Sequence, residues 1–237
     1  MSVSLVAFTA PGGATGWVGS WSPGIGDPNI VGWVTVVAYF TASFLCWRRF
    51  RELREPAGAR APGRTASLGW VLLAFLPFPF LGARRRLLAM PVRERLRSLW
   101  LTLAVVLFLL GINKQLDLQT ALTELGRIVA RTFGWYADRR PVQLGFIVFV
   151  ALVGLTTFRT MLFLARGALR NLRAVLAGTL FVICFVTIRA ASFHHVDRLL
   201  GRDIGGFRMN WVLELGGILF IIVGASLAGG PAPDGGA

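Results

Sequence analysis

The chain has 237 residues, 55% hydrophobic and only 15% charged, with a mean hydropathy of +0.65. Soluble domains carry about 25% charged residues, so this chain lacks the polar side chains to cover a water-facing surface and its composition points to lipid as solvent. The formal net charge of +14 is carried by basic residues lying between apolar runs, the pattern of membrane-protein loops, which excludes nucleic acid as the reading of that charge.

The length suits a single domain. Cys46 and Cys184 both sit inside apolar runs, which excludes a disulfide framework or a CxxC site and leaves them as small core hydrophobes. Of the 25 basic residues, 24 are arginine and one, Lys114, is lysine. The arginine bias fits a GC-rich bacterial genome. It also singles out Lys114, because arginine does not replace a compact, titratable ammonium.

Residues 1–29 are rich in Gly, Pro and Ser and hold no Lys or Arg. That does not fit the basic start of a secretory signal peptide. Residues 1–28 are expected to form an outer tail, with Trp17 and Trp21 as interfacial anchors. Asn29 to Trp47 is uncharged and long enough for a hydrocarbon core of about 30 Å. Arg48, Arg49, Arg51 and Arg54 follow at once, so the positive-inside rule puts the N-terminus outside and residue 48 inside.

A basic Pro/Gly/Ala loop over 52–64 precedes a second uncharged stretch, Thr65 to Ala83. Pro77 and Pro79 argue against a straight helix there. A crossing would also leave Arg84, Arg85, Arg86, Arg93, Arg95 and Arg97 outside, against the charge rule. Residues 65–83 are therefore expected to be re-entrant or interfacial, with a sixth span as the alternative. Residues 84–97 would form a basic interfacial helix against anionic headgroups.

Ser98 to Ile112 is the next expected span, short but extended by snorkelling of Arg97 and Lys114. Residues 117–132 form an amphipathic pattern. Leu118, Ala121, Leu122, Leu125, Ile128 and Val129 fall in one arc, with Asp117, Thr120, Glu124, Arg127 and Arg131 opposite, as expected of a helix lying along a membrane surface. Gly134, Trp135, Tyr136 and Pro141 mark a turn with an aromatic belt. Spans over 142–158 and 174–188 follow, joined by a basic loop with Arg166, Arg170 and Arg173. The last expected span is 211–227, and residues 229–237 read as a disordered tail. The expected fold is thus an all-α polytopic membrane bundle over 29–228, with five spans as the lead, six if 65–83 crosses, plus one amphipathic interfacial helix.

Two polar clusters interrupt this pattern. Asn113-Lys114-Gln115-Leu116-Asp117-Leu118-Gln119 closes one span, and Arg189 with Ser192-Phe193-His194-His195-Val196-Asp197 closes another. Two spans separate them, so they share a face whatever 65–83 does, and Glu214 begins the last span from that face. This face holds six of the eleven acids, Asp117, Glu124, Asp138, Asp197, Asp203 and Glu214, and both histidines. The other face is almost purely arginine.

Ionisable groups at span ends are costly unless paired or hydrated. Arg189 is expected to pair with Asp117 or Glu214, either as a lock between helix ends or as part of an anion site. His194 and Asp197, three residues apart, share a helical face, and the carboxylate would then orient the imidazole as in a general-base dyad or a metal second shell. His195 points about 100° away from His194 on a regular helix, so a metal would need one histidine together with Asp117 and Glu214. The plainer alternatives are interfacial hydrogen bonds for the histidines and an N-cap role for Asp117. There is no P-loop, no G-x-S-x-G, no H-E-x-x-H and no internal repeat.

The strings Asn113–Gln119 and Ser192–Asp197 resemble those of bacterial multi-span inner-membrane proteins with no known activity. The resemblance covers residues 98–225 and implies a membrane location and an all-helical fold. The residues leave three functional readings open. One is a polar pocket for a lipid-linked or anionic small molecule, with His194, Asp197, Lys114 and Asp117 as catalytic groups, Arg189, Asn113, Gln115 and Glu214 as binding groups, and a divalent metal on His195. The second is a non-catalytic subunit or scaffold for other membrane proteins. The third, disfavoured by the few intramembrane charges, is a proton-coupled transporter.

Overall fold

The computed structural model describes residues 18, 20–22, 30–53, 90–134, 139–191, 203–204 and 207–228. Its helices are α1 (Ile30–Glu52), α2 (Val92–Leu116), α3 (Leu118–Thr132), α4 (Arg139–Leu164), α5 (Arg173–Ala191) and α6 (Met209–Leu227). A two-residue antiparallel pair, β1 (Asp203–Ile204) with β2 (Phe207–Arg208), leads directly into α6. Four segments are long and apolar enough to cross a membrane: α1, α2, Leu144–Leu164 of α4 and Arg173–Ala190 of α5. The apolar part of α6, Trp211–Leu227, is shorter. The segment 65–83 and the tail 229–237 lie outside the described residues.

The helices run beyond the apolar stretches that define them in the sequence. Arg93, Arg95 and Arg97 belong to the first turns of α2, continuous with the apolar run from Ser98. Arginine is a good helix former, so a change of polarity need not end a helix. At the other terminus the Asn113–Leu116 cluster completes α2. Helix α4 continues past Arg159 to Leu164.

Side chains that carry hydroxyls have been made safe for an apolar setting. Thr35, Thr41, Thr102, Thr179 and Thr187 each donate to the carbonyl four residues earlier in their own helix, at 2.7–2.9 Å. This removes the cost of an unsatisfied donor where water is absent. Ser43 instead donates across to Ala104 O at 2.8 Å and ties α1 to α2.

Contacts along the helices fix their directions. Ser43 of α1 meets Ala104 of α2, and Arg97 lies 4.8 Å from the centre of the Phe50 ring, so α1 and α2 are antiparallel neighbours. Helix α6 runs parallel to α1. Tyr39 reaches Glu214 near one end, and Arg49 reaches the carbonyls of Ala225 and Ser226 near the other. Helices α5 and α6 are antiparallel and very close. A Cβ on Gly178 would collide with Gly217 O, and one on Gly224 would lie 2.9 Å from Val175 N. Small residues permit this approach where apolar solvent gives helices little other reason to associate. It is Gly217, not its neighbour Gly216, that faces α5; a Cβ at 216 would meet nothing within 4 Å. The core is formed by Tyr39, Ala42, Cys46, Leu99, Trp100, Leu103, Leu107, Leu164, Val175, Ile218 and Ile221.

Helix α3 touches the other described helices least. It joins α2 through a single residue, Asp117, at φ 46° and ψ 49°. Asp tolerates this left-handed conformation better than most residues. Of the apolar arc, Leu118, Leu122, Leu125 and Val129 are exposed, whereas Ile128 is buried.

Candidate functional site

Glu214 lies between one and two turns into α6, in a helix that is otherwise uncharged up to Leu227. Its side chain is 2% exposed. An ionised carboxylate in such a place requires partners, and three helices supply them. Lys114, in the last turn of α2, donates from Nζ to Glu214 Oε2 at 3.2 Å. Tyr39, nine residues into α1, donates its hydroxyl to Oε1 at 3.3 Å. Arg189, near the end of α5, contributes a second positive charge that acts on the same carboxylate. Residues up to 175 positions apart in the chain thus converge on one group.

The local sequence explains the convergence. Gly111 and Lys114 share a face of α2, being three residues apart. The absent side chain at 111 lets Tyr39 approach, since a Cβ there would lie 3.2 Å from Tyr39 Cβ. That places the phenol of α1 and the ammonium of α2 on the same side, toward α6. Neither contact is tight. Charge-assisted N–H···O bonds usually measure about 2.7–2.9 Å, against the 3.2 Å here. Lys114 keeps 23% of its side-chain surface exposed, and Arg189 is exposed. The carboxylate is buried, but its cations reach the rim.

Trp21 closes over this end. Its indole Nε1 donates to Leu116 O at 3.2 Å, one of the carbonyls left over where α2 stops. A short backbone bridge between Val18 and Trp21 holds the segment in a turn. Trp17, the other expected anchor, lies outside the described residues.

The remaining candidates divide into three groups. Asn113 and Gln115 are half-buried in the last turn of α2, on either side of Lys114. Asp117 sits at the N-cap position of α3 but makes no side-chain bond to the helix backbone; its Oδ2 accepts the Thr120 hydroxyl at 2.6 Å instead. Among the described residues, which leave out both histidines, no three His, Cys, Asp or Glu side chains are grouped to hold a metal. His194, His195 and Asp197 lie outside the described residues, as do Asp138 and Ser192. Glu124 is engaged by Arg127 at 2.6 Å on the polar side of α3.

Tyr39 is the residue that sequence reasoning missed. One signal was available: it is one of two tyrosines in the chain and sits mid-run in α1, where a buried phenol needs a hydrogen-bond acceptor. Glu214 is an obvious acceptor, but the parallel pairing of α1 with α6 is not visible in the sequence. Comparison with protein-family models, curated proteins and solved structures finds no match to this chain.

Proposed function

We propose that this chain is an integral protein of a bacterial inner membrane whose polar end binds or processes a lipid-linked or anionic small molecule. One observation carries the reading: a single buried carboxylate, Glu214, holds the Lys114 ammonium at the rim, within electrostatic reach of Arg189. Ammonium and guanidinium groups brought together at a part-exposed rim are the donors that an anionic group binds. In this reading Lys114 and Arg189 hold the anion, and Asn113 and Gln115 add hydrogen bonds. Glu214 and Tyr39 orient Lys114. His194 acts as a base with Asp197 orienting it, and Asp117 flanks the entrance. In the same proposal His195 would hold a divalent metal.

The membrane arrangement we infer has five spans with the N-terminus outside. Four apolar helices of sufficient length support it. So does the antiparallel pairing of α1 and α2, which puts residue 53 and residue 90 at the same end of the bundle. The arginines of α1, α2 and the α4–α5 turn lie at that end, as expected for an inner face. The likeness of the Asn113–Gln119 and Ser192–Asp197 strings to bacterial multi-span proteins fits the same picture.

The test uses purified protein and a long-chain alkyl phosphate as probe. Lys114→Gln and His194→Ala should each abolish probe binding, and His194→Ala should leave the melting temperature within a few degrees of the parent. Equal loss of folded protein in both variants, with no probe binding by the parent, would reduce the centre to a structural tie.

A second reading, a subunit of a larger assembly, is favoured by α4. It exposes Val142, Leu144, Val148, Phe149, Leu152 and Leu155 and packs mainly on α5. Stoichiometric co-purification of another membrane protein would support it.

A further inference from the structure

The arginine-rich end, opposite Glu214, contains cations whose partners are uneven. Arg48 and Arg49 share Glu52, at 3.0 and 2.7 Å. Arg49 also donates to Ala225 O and Ser226 O, at 2.7 and 2.9 Å. These two guanidinium groups are well supplied with acceptors. In the first turns of α2, by contrast, the Nε atoms of Arg95 and Arg97 are buried and have no hydrogen-bond partner. A buried donor without an acceptor is costly, more so on a charged group.

The two arginines flank Leu96, which packs against the core, and so leave α2 on opposite sides of its buried stripe. Arg97 turns to α1, with its guanidinium over the Phe50 ring. Arg95 lies one turn on from Val92, on the same face. Val92 packs against the α4–α5 turn: a Cβ on Gly167 would lie 3.5 Å from Val92 Cγ2. That turn carries Arg166, Arg170 and Arg173, all exposed, and no acid. Arg166 rests over Phe163 at 5.0 Å, and Arg173 Nε donates to Arg170 O at 3.1 Å. The described acids of this end are Glu52, already shared by Arg48 and Arg49, and Glu94, which sits about 100° round the helix from Arg95.

We propose that Arg95, with Arg166 and Arg170 of the adjoining turn, binds a phosphate group at the arginine-rich end of the bundle. A phosphate offers several acceptor oxygens to planar guanidinium forks. The phosphodiester of an anionic phospholipid is the source that this depth and this neighbourhood favour, since the turn lies at the end of four apolar helices. Soluble phosphate is the other source of the same chemistry. The site is separate from the Glu214 centre and does not rest on the function proposed for it.

The experiment follows thermal unfolding of the full chain in detergent, titrated with phosphatidylglycerol, phosphatidylcholine or inorganic phosphate. Phosphatidylglycerol should raise the melting temperature saturably, and phosphatidylcholine should not. Arg95→Lys keeps the charge but loses the fork, and should weaken the phosphatidylglycerol response about tenfold, as expected for one charge-assisted hydrogen bond. Arg48→Lys, at the same end but bound to Glu52, should leave the response unchanged. If Arg95→Lys does not fold, the exposed double variant Arg166→Lys/Arg170→Lys provides the same comparison. Inorganic phosphate matching phosphatidylglycerol would support the site and assign it to a soluble ligand. Equal responses to the two lipids, or an Arg95→Lys response equal to that of the parent, would overturn it.

Discussion

The two ends of the bundle solve opposite problems with the same kinds of atoms. At one end a lone carboxylate is buried and donors come to it: Lys114 and the Tyr39 hydroxyl bond Glu214, and the charge of Arg189 acts on it. At the other end the cations are in excess and acceptors must be found for them. Arg49 finds them in the carbonyls of Ala225 and Ser226, the unsatisfied terminus of α6. Helix α6 is therefore held to α1 at both ends, by a charged side chain above and by its own backbone below. Charge deep in a helix needs partners drawn from several segments, whereas a helix terminus can be satisfied by one long side chain.

Perturbations can be ranked against this contrast. The largest effect should come between the two ends, where α5 and α6 touch. Gly178→Ala forces a methyl into the backbone of Gly217 and should cost about 3 kcal/mol, the upper range for overpacking. It would loosen α6 at both ends at once, measured as a fall in melting temperature. Gly216→Ala, one residue from the contact, should be neutral or stabilise by up to about 1 kcal/mol, and serves as its control. At the polar end, Glu214→Gln should cost about 2 kcal/mol. That is below the 3–5 kcal/mol of a fully buried pair, because Lys114 is part-exposed and water screens it. A double-mutant cycle with Lys114→Met would isolate the pair, and a coupling near zero would remove the ion pair from the account of that end. At the basic end, Arg49→Gln should cost about 1 kcal/mol through the lost bonds to Ala225 and Ser226. Hydrogen exchange should report it as fraying of the last turn of α6. Tyr39→Phe should cost about 0.5–1 kcal/mol, since one of the Glu214 oxygens loses its donor. Glu52→Gln, on an exposed pair, should be smallest, at about 0.5 kcal/mol and erased by salt.

Much of the helix pattern is legible in the chain, because the apolar runs of α1, α2, α4 and α5 each end in charge and Glu214 marks the start of the last. Termini were less legible. Arg93, Arg95 and Arg97 break the hydropathy but not the helix, so α2 begins at Val92. Lys114 and Glu214 stood out by rarity and position, and they are in contact. Tyr39 did not, since its role depends on which helix α1 lies beside, and pairing is set by long-range packing. The choice of Gly217 over Gly216 as the contact is a matter of helix rotation, which a run apolar on every side does not encode. Asp117 fitted an N-cap by type. It serves instead as the left-handed joint between α2 and α3 and bonds Thr120.

That joint has a mechanical meaning. Both hydrogen-bond ladders, in α2 and in α3, are intact up to a single aspartate, so any swing of the amphipathic segment relative to the bundle is concentrated in two backbone torsions. A small rotation there would sweep the far end of a fifteen-residue lever through several ångströms, while the Lys114 ammonium, one turn before the pivot, would scarcely move.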